Sequence, residues 1–243
     1  MEAIVLAGGQ GTRLRQVLPD VVKPMALVGG HPFLELLLLR LAANGFHRVV
    51  LSLGYRADSI RDHFGSNFAG MEIVNVVEEA PLGTGGGMRL AMGKCEAEHT
   101  FVFNGDTFLD LDIAALEARW QRSRCIIIVA RDVSDTARYG RLLVHGNRVT
   151  GFLEKGKAGP GLINAGCYVL PKGALDDFAE GSPFSFETDF LVPAVGTTRM
   201  EYFASKGYFI DIGIPEDYAR AQLELPALFR REPGQQPPHP SLR

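Results

Sequence analysis

The sequence predicts an α/β fold, a mostly parallel, mixed central sheet with helices on both faces. Three observations predict it. Apolar strand-like runs alternate with helix-like runs through the first half of the chain. Glycine and proline supply 28 and 14 of the 243 residues, so sharp turns and close backbone approaches are frequent. A glycine-rich loop directly follows the first strand, where an open parallel sheet presents its carboxyl ends to ligands. The length suits one large domain, predicted over residues 1–230.

Residues 3–7 read as the first strand. Residues 32–44 are apolar on nearly every side, which suits a helix buried against a sheet, and they stop at Asn44-Gly45, a helix-ending pair. A strand at 48–53, a helix at 57–64, a strand at 72–77, a helix at 88–94 and a strand at 100–103 follow, and then a helix at 112–122. There the pattern changes. Residues 125–131, 141–145, 149–154 and 163–170 read as strands close together, linked by turns such as Gly146-Asn147, which predicts a mixed extension of the sheet. Helices are expected at 185–195 and 215–225, the second with Pro215 at its first position ahead of Glu216 and Asp217. The Pro- and Gln-rich tail 231–243 has almost nothing to bury and is expected to be disordered.

Composition removes several function classes. With 25 basic and 28 acidic residues the formal charge is −3, so no overall field attracts a polyanion, and no nucleic-acid partner is expected. Any phosphate site must be local. Cys95, Cys125 and Cys167 form no Cys-x-x-Cys and read as free thiols rather than disulfides or a zinc site. The N-terminus lacks the layout of a secretory signal. The longest apolar stretch, 33–43, is broken by Glu35 and Arg40 and falls short of the roughly 20 residues that span a bilayer. A cytoplasmic protein with no membrane partner is expected.

The most informative segment is Leu6-Ala7-Gly8-Gly9-Gln10-Gly11-Thr12-Arg13-Leu14. Closely spaced glycines let backbone amides form a nest for phosphate oxygens, and Arg13 adds a permanently charged fork. The dinucleotide pattern fails because Leu14 stands where its third glycine belongs. The Walker pattern fails at Gly87 to Lys94, which has one residue too many and then Cys95 in place of Ser or Thr. Lys23-Pro24 places a cation beside a residue that fixes the backbone. Asn104-Gly105-Asp106 follows an apolar run, so Asp106 reaches the end of a strand, where it could ligate a hard cation or simply cap a turn. Asp211, between an apolar run and Gly213, has the same character. Pro81-Leu82-Gly83-Thr84 opens a second glycine-rich turn, preceded by Glu78 and Glu79.

Leu6 to Leu14 together with Lys23-Pro24 resembles the signature of the sugar-1-phosphate nucleotidylyltransferases, and the pattern runs over about residues 1–225. It departs at Val22, where the family has Pro-Lys-Pro, and at Ile214, where it has Gly-Thr. The resemblance implies a Rossmann-like fold of the nucleotide-diphospho-sugar transferase type. It implies that Arg13, Lys23, Asp106 and Asp211 are catalytic and that Asp106 and Asp211 jointly hold Mg²⁺. Leu6, Ala7, Gly8, Gly9, Gly11, Thr12, Arg13, Glu78, Pro81, Leu82, Gly83, Thr84, Asn104 and Gly105 would bind the nucleotide. Tyr139-Gly140, Glu154-Lys155, Asn164 and Gly166 would bind the sugar phosphate. Within the family, segments such as His31-Pro32-Phe33-Leu34-Glu35 and Phe184-Ser185-Phe186-Glu187-Thr188-Asp189 most resemble the short heptose 1-phosphate guanylyltransferases. That implies GTP and D-glycero-α-D-manno-heptose 1-phosphate as substrates, GDP-heptose for bacterial surface polysaccharides as product, and admits a homodimer. The same chemistry on mannose 1-phosphate or on N-acetylmuramate 1-phosphate with UTP is the near alternative, and a non-catalytic nucleotide-sugar sensor is the distant one.

Overall fold

A computed structural model describes residues 1–9, 21–153, 156 and 158–229. In chain order the elements are β1 (Glu2–Leu6), a 3₁₀ turn (Lys23–Met25), β2 (Leu27–Val28), β3 (His31–Pro32), α1 (Phe33–Ala43), β4 (Arg48–Leu53), α2 (Ala57–Phe64), β5 (Asn67–Phe68), β6 (Met71–Val77), α3 (Gly83–Met92), β7 (His99–Asn104), β8 (Thr107–Leu109) and α4 (Ile113–Ser123). There follow β9 (Ile126–Val133), β10 (Arg141–His145), β11 (Arg148–Leu153), β12 (Gly161–Pro171), a π-helical turn (Phe186–Leu191), α5 (Val192–Ala194), β13 (Met200–Ser205), β14 (Phe209–Asp211) and α6 (Pro215–Phe229).

Ten strands form one sheet in the order β10-β11-β13-β9-β12-β7-β1-β4-β6-β5. β1, β4, β6 and β7 run parallel, whereas β12 runs antiparallel to both β7 and β9. The chain builds outward from β1 through β4 to β6, then returns to place β7 on the other side of β1, so strand order reverses between β1 and β7. A crevice opens at such a reversal, outside the strands' carboxyl ends. Leu6 and Asn104 face each other at that point.

The alternation of side chains along each strand divides the core cleanly in two. Odd-numbered strand residues such as Ala3, Val5, Val49, Leu51, Phe101, Ile127 and Val169 pack with Leu34, Leu38, Ile60, Leu116 and Trp120 from α1, α2 and α4. Even-numbered ones such as Ile4, Val50, Val102, Ile128 and Tyr168 pack with Met88 and Ala91 of α3 and with Phe184, Phe186 and Leu191. A third cluster seats α6, through Ala221 and Leu225, on Phe108 and Ile210 of the β8–β14 ribbon, on Ile212 just after it and on Phe33 and Leu36 of α1.

Some expectations need correction. The helix expected at 88–94 begins at Gly83 and ends at Met92, so the second glycine-rich segment is the first turn of α3 rather than a turn ahead of it. Glycine tolerates that position because the helix start abuts another backbone and leaves no room for side chains. The helix expected at 185–195 is a π-helical turn followed by the single turn α5. Strand β13 and the short ribbons β8–β14 and β2–β3 were not anticipated, because two or three residues carry no periodicity and β13, although longer, mixes polar with apolar side chains. α6 starts at Pro215 as expected and runs on to Phe229, past Pro226. The tail 231–243 lies outside the described residues.

Candidate active site

A cavity of about 630 Å³ lies over the carboxyl ends of β1, β4 and β7, lined by Leu6 to Gly9, Lys23, Pro24, Ser52, Gly54, Tyr55, Glu78 to Pro81, Gly83, Thr84, Gly87, Asn104, Asp106 and Gly213. Its floor is built from close backbone approaches. A Cβ on Gly54 would stand 2.9 Å from the Gly8 carbonyl oxygen, and one on Gly105 would stand 2.8 Å from that of Leu6, which accepts from the Gly105 N–H at 2.9 Å. These contacts explain why glycine occupies both loops. Of the expected nucleotide residues, Leu6, Ala7, Gly8, Gly9, Glu78, Pro81, Gly83, Thr84 and Asn104 line the cavity. Leu82 and Gly105 stand behind it. Gly11, Thr12 and Arg13 lie outside the described residues.

At one end three charged residues distant in sequence meet. Asp211 pairs with Thr107 in the β8–β14 ribbon, and the Ile212 N–H donates to the Asp106 carbonyl at 3.0 Å, so the ribbon sets the two carboxylates side by side. Lys23, held in its 3₁₀ turn with Pro24 behind it, is only 8% exposed. Its ammonium donates to Asp106 Oδ2 at 2.6 Å and to Asp211 Oδ1 at 3.2 Å. Asp211 Oδ1 also accepts from the Gly213 N–H at 2.7 Å. A buried ammonium without such partners would carry a large desolvation cost.

The same cluster tests the expected metal. Two aspartates offer hard oxygen donors, and the Lys23 ammonium already stands between them as a cation. Among the described residues no group of three or more His, Cys, Asp or Glu gathers for a metal. The pair would therefore be completed by water and substrate phosphates, the usual way in which Mg²⁺ is held. The donor set fits a magnesium ion on that condition.

At the other end, Glu78 is braced. Its Oε2 accepts from the Leu82 N–H at 2.9 Å, and a Cβ on Gly87 would stand 2.4 Å from Oε1 and 2.9 Å from Ser52 Oγ. Burial raises the Glu78 carboxyl above the ordinary range, and the Leu82 N–H offsets part of that rise. Ser52, Gly54 and Tyr55 were missed at the level of sequence. The signal was there, since Ser52 is the one hydroxyl in the apolar run of β4, with Gly54 two residues on.

Of the expected sugar residues, Tyr139, Gly140, Asn164 and Gly166 are not among the residues that line this cavity. Asn164 and Gly166 sit where the β12–β9 register shifts, and a Cβ on Gly166 would stand 2.5 Å from Asn104 Nδ2, which ties that bulge to the cavity wall. Tyr139 is half-buried, which raises its phenol; the nearby Arg138 opposes that rise and Asp211 adds to it. Arg138 in turn donates to the buried Asp217 of α6 at 2.8 Å, fastening the Tyr139-Gly140 turn near Asp211. Glu154 and Lys155 lie outside the described residues. The segment after them is clamped to this turn, with Gly156 N–H donating to Ala137 O at 3.0 Å and Gly159 N–H to Asp135 Oδ1 at 3.1 Å.

Comparison with known proteins adds identity to this geometry. The chain is 38% identical to the D-glycero-alpha-D-manno-heptose 1-phosphate guanylyltransferase of Aneurinibacillus thermoaerophilus, over 93% of this chain and 98% of that protein. It is 36% identical to the mannose-1-phosphate guanylyltransferase of Mycobacterium tuberculosis over 93% of this chain, but spans only 64% of that longer relative. The crystal structure of HddC from Yersinia pseudotuberculosis complexed with GMP-PN superposes with a TM-score of 0.82 at 40% identity, covering 91% of this chain and 97% of that one. The nucleotidyl transferase family matches residues 2–227, nearly the whole described sheet with its helices, and the chain belongs to that family.

Proposed function

We propose that the protein transfers GMP from GTP to D-glycero-α-D-manno-heptose 1-phosphate, releasing pyrophosphate and giving GDP-heptose for a bacterial capsule or lipopolysaccharide. The observation that carries nucleotidyl transfer is the Asp106–Lys23–Asp211 cluster at one end of a glycine-floored cavity. The choice of base and sugar rests on the similarity to the heptose guanylyltransferases. Mannose 1-phosphate is the second reading, supported by the 36% identical mannose-1-phosphate guanylyltransferase.

The attacking oxygen belongs to a phosphate monoester, already anionic at neutral pH, so the reaction needs no general base. No histidine or cysteine is among the cavity's lining residues. Catalysis then reduces to alignment and charge neutralisation. The backbone of Gly8 and Gly9 passes close to the phosphates, and Arg13 holds the leaving pyrophosphate. Lys23, with Lys155, offsets repulsion between the two anionic reactants. Asp106 and Asp211 would hold Mg²⁺, which would supply charge neutralisation for the phosphates when bound. Glu78 and Glu79 face the base end, where a carboxylate accepting from the N–H edge of guanine would favour it over uracil. Both substrates are soluble metabolites, which places the reaction in the cytoplasm. No helix among the described residues is long and apolar enough to cross a membrane.

The test is pyrophosphate release with GTP, UTP, dTTP, CTP and ATP, each offered with the 1-phosphates of heptose, mannose, glucose and N-acetylmuramic acid. Release confined to GTP with heptose 1-phosphate is the expected result. Release with another pair keeps the chemistry and replaces the substrates, and silence throughout overturns the transferase reading in favour of a sensor.

A further inference from the structure

Two backbone irregularities meet beside the cavity. The first is the bulge in β12 at Asn164 to Tyr168, with Gly166 at φ +70°. The second is the π-helical turn Phe186–Leu191. Bulges and π-turns both re-aim side chains and concentrate near functional sites. A single side chain bridges them here. Asn164 Nδ2 donates to Tyr168 Oη at 2.7 Å and to Glu187 Oε1 at 3.0 Å, while Asn164 Oδ1 accepts from the Gly166 N–H at 3.1 Å. Both amide protons of Asn164 are thereby used, and a primary amide has no third. Asn164 has little left with which to read a sugar.

Glu187 is in the opposite position. It is exposed, and its Oε1 is fixed by Asn164, while Oε2 has no hydrogen bond among the described residues. The turn that carries it is anchored on the nucleotide loop. The Phe186 N–H donates to Thr84 Oγ1 at 3.0 Å, and the Gly85 N–H donates to Phe184 O at 3.0 Å. A Cβ on Gly85 would stand 2.2 Å from the Phe184 ring. Thr84 lines the cavity on one side and Asn104, next to Gly166, lines it on the other. Glu187 therefore stands beside the cavity, held between the nucleotide loop and the bulge, with one oriented acceptor oxygen.

We infer that Glu187 is a specificity-determining residue that accepts a hydrogen bond from a hydroxyl of the sugar 1-phosphate through Oε2, and that Asn164 is the positioning residue that aims it. The inference rests on the transferase reading above. A charge-assisted hydrogen bond from a sugar hydroxyl suits a carboxylate better than an amide, because both carboxylate oxygens are acceptors.

The experiment compares wild type, Glu187→Ala and Glu187→Gln for pyrophosphate release with GTP, using the preferred sugar 1-phosphate and its monodeoxy analogues. Losing a hydrogen bond to a charged group corresponds to roughly a tenfold to hundredfold loss, so KM for the sugar 1-phosphate should rise by about that much in Glu187→Ala. The nucleotide KM and the thermal midpoint should stay at wild-type values. One monodeoxy analogue should be as poor for wild type as for Glu187→Ala, which identifies the hydroxyl. Glu187→Gln, which keeps an acceptor for Asn164, tests the same point in a variant of unchanged shape. Unchanged sugar kinetics in both variants overturns the inference while leaving the transferase reading intact. A rise in nucleotide KM equal to that for the sugar also overturns it, because a merely structural role would act on both. A wild type inert towards every sugar phosphate overturns both readings together.

Discussion

The proposed nucleotide side and the proposed sugar side of the site are built by different rules. On the β1, β4 and β7 side, cavity residues sit at the carboxyl end of a parallel strand or in the loop that follows it: Leu6 to Gly9 at β1, Ser52, Gly54 and Tyr55 at β4, Asn104 and Asp106 at β7. On the β9 and β12 side, residues are placed by a bulge, a π-helical turn and polar contacts between distant segments, such as the ion pair of Arg138 with Asp217 and the hydrogen bond of Asn164 to Glu187. A parallel strand end delivers its residue through local connectivity. An antiparallel extension delivers it only through tertiary contacts, so its geometry can be changed piecemeal, and the sugar side is the natural place for substrate choice to vary.

That contrast can be tested where the two sides meet. Asp106→Ala and Asp211→Ala should each lower turnover at least about a hundredfold, the scale of one preorganised electrostatic contact, measured as pyrophosphate release at saturating substrates. Activity near wild type in both would remove the metal from these residues. Lys23→Ala should lower turnover comparably, and it carries a second readout. Without the ammonium, Asp106 and Asp211 face each other unneutralised, so millimolar Mg²⁺ should raise the thermal midpoint of the variant more than that of wild type; equal shifts would mean that no cation is exchanged there.

Gly85→Ala probes the seam between the two sides. Its new methyl group meets the Phe184 ring, which is stacked on Phe178 at 3.9 Å. Such overpacking costs about 1–3 kcal/mol, or about 2–4 °C in thermal midpoint per kcal/mol for a chain of this size. KM for the sugar phosphate should rise with it, because the displaced segment carries Glu187; a stability loss with unaltered sugar KM would show that the two sides are independent.

Glu78→Gln is the gentlest probe and addresses pH. Burial raises the Glu78 carboxyl, so the native state holds this proton more tightly than the unfolded chain does. The contribution is fully present below the unfolded value, about 4.3, and is lost as pH rises through the native value. Relative to wild type, the neutral variant should therefore gain stability as pH rises through that window and lose the advantage below it, read as thermal midpoints against pH. The same variant, with Glu79→Gln beside it, tests base reading: an unchanged GTP-to-UTP preference in both would take guanine recognition away from these carboxylates.

Much of the nucleotide side was legible in sequence because its signals are local. Gly8, Gly9, Gly83 and Asp106 each stand next to a strand or helix whose periodicity is plain, and the structure places them around or beside one cavity. Lys23 was legible as a candidate beside Pro24, but its contact with two aspartates, 83 and 188 residues further along, was not. On the sugar side, Asn164 and Tyr139 were picked out only by likeness to a motif. Glu187, Arg138 and Asp217 were not read as site residues at all, since an exposed acid on a presumed helix and an arginine in a loop have no local pattern to set them apart.

By itself the sequence determined the alternation of strand and helix, the parity that splits the core between the two faces of the sheet, and the glycine loops at strand ends. These follow from side-chain periods of 2 and 3.6 residues and from backbone conformations or close approaches that only glycine allows. Tertiary structure alone decided which charges meet. The pairing of Asp211 with Thr107 in a two-stranded ribbon brings two carboxylates and one ammonium within hydrogen-bond reach, and the register shift in β12 turns Asn164 towards Glu187. Register and bulges depend on contacts between segments far apart in the chain, which no window along it contains.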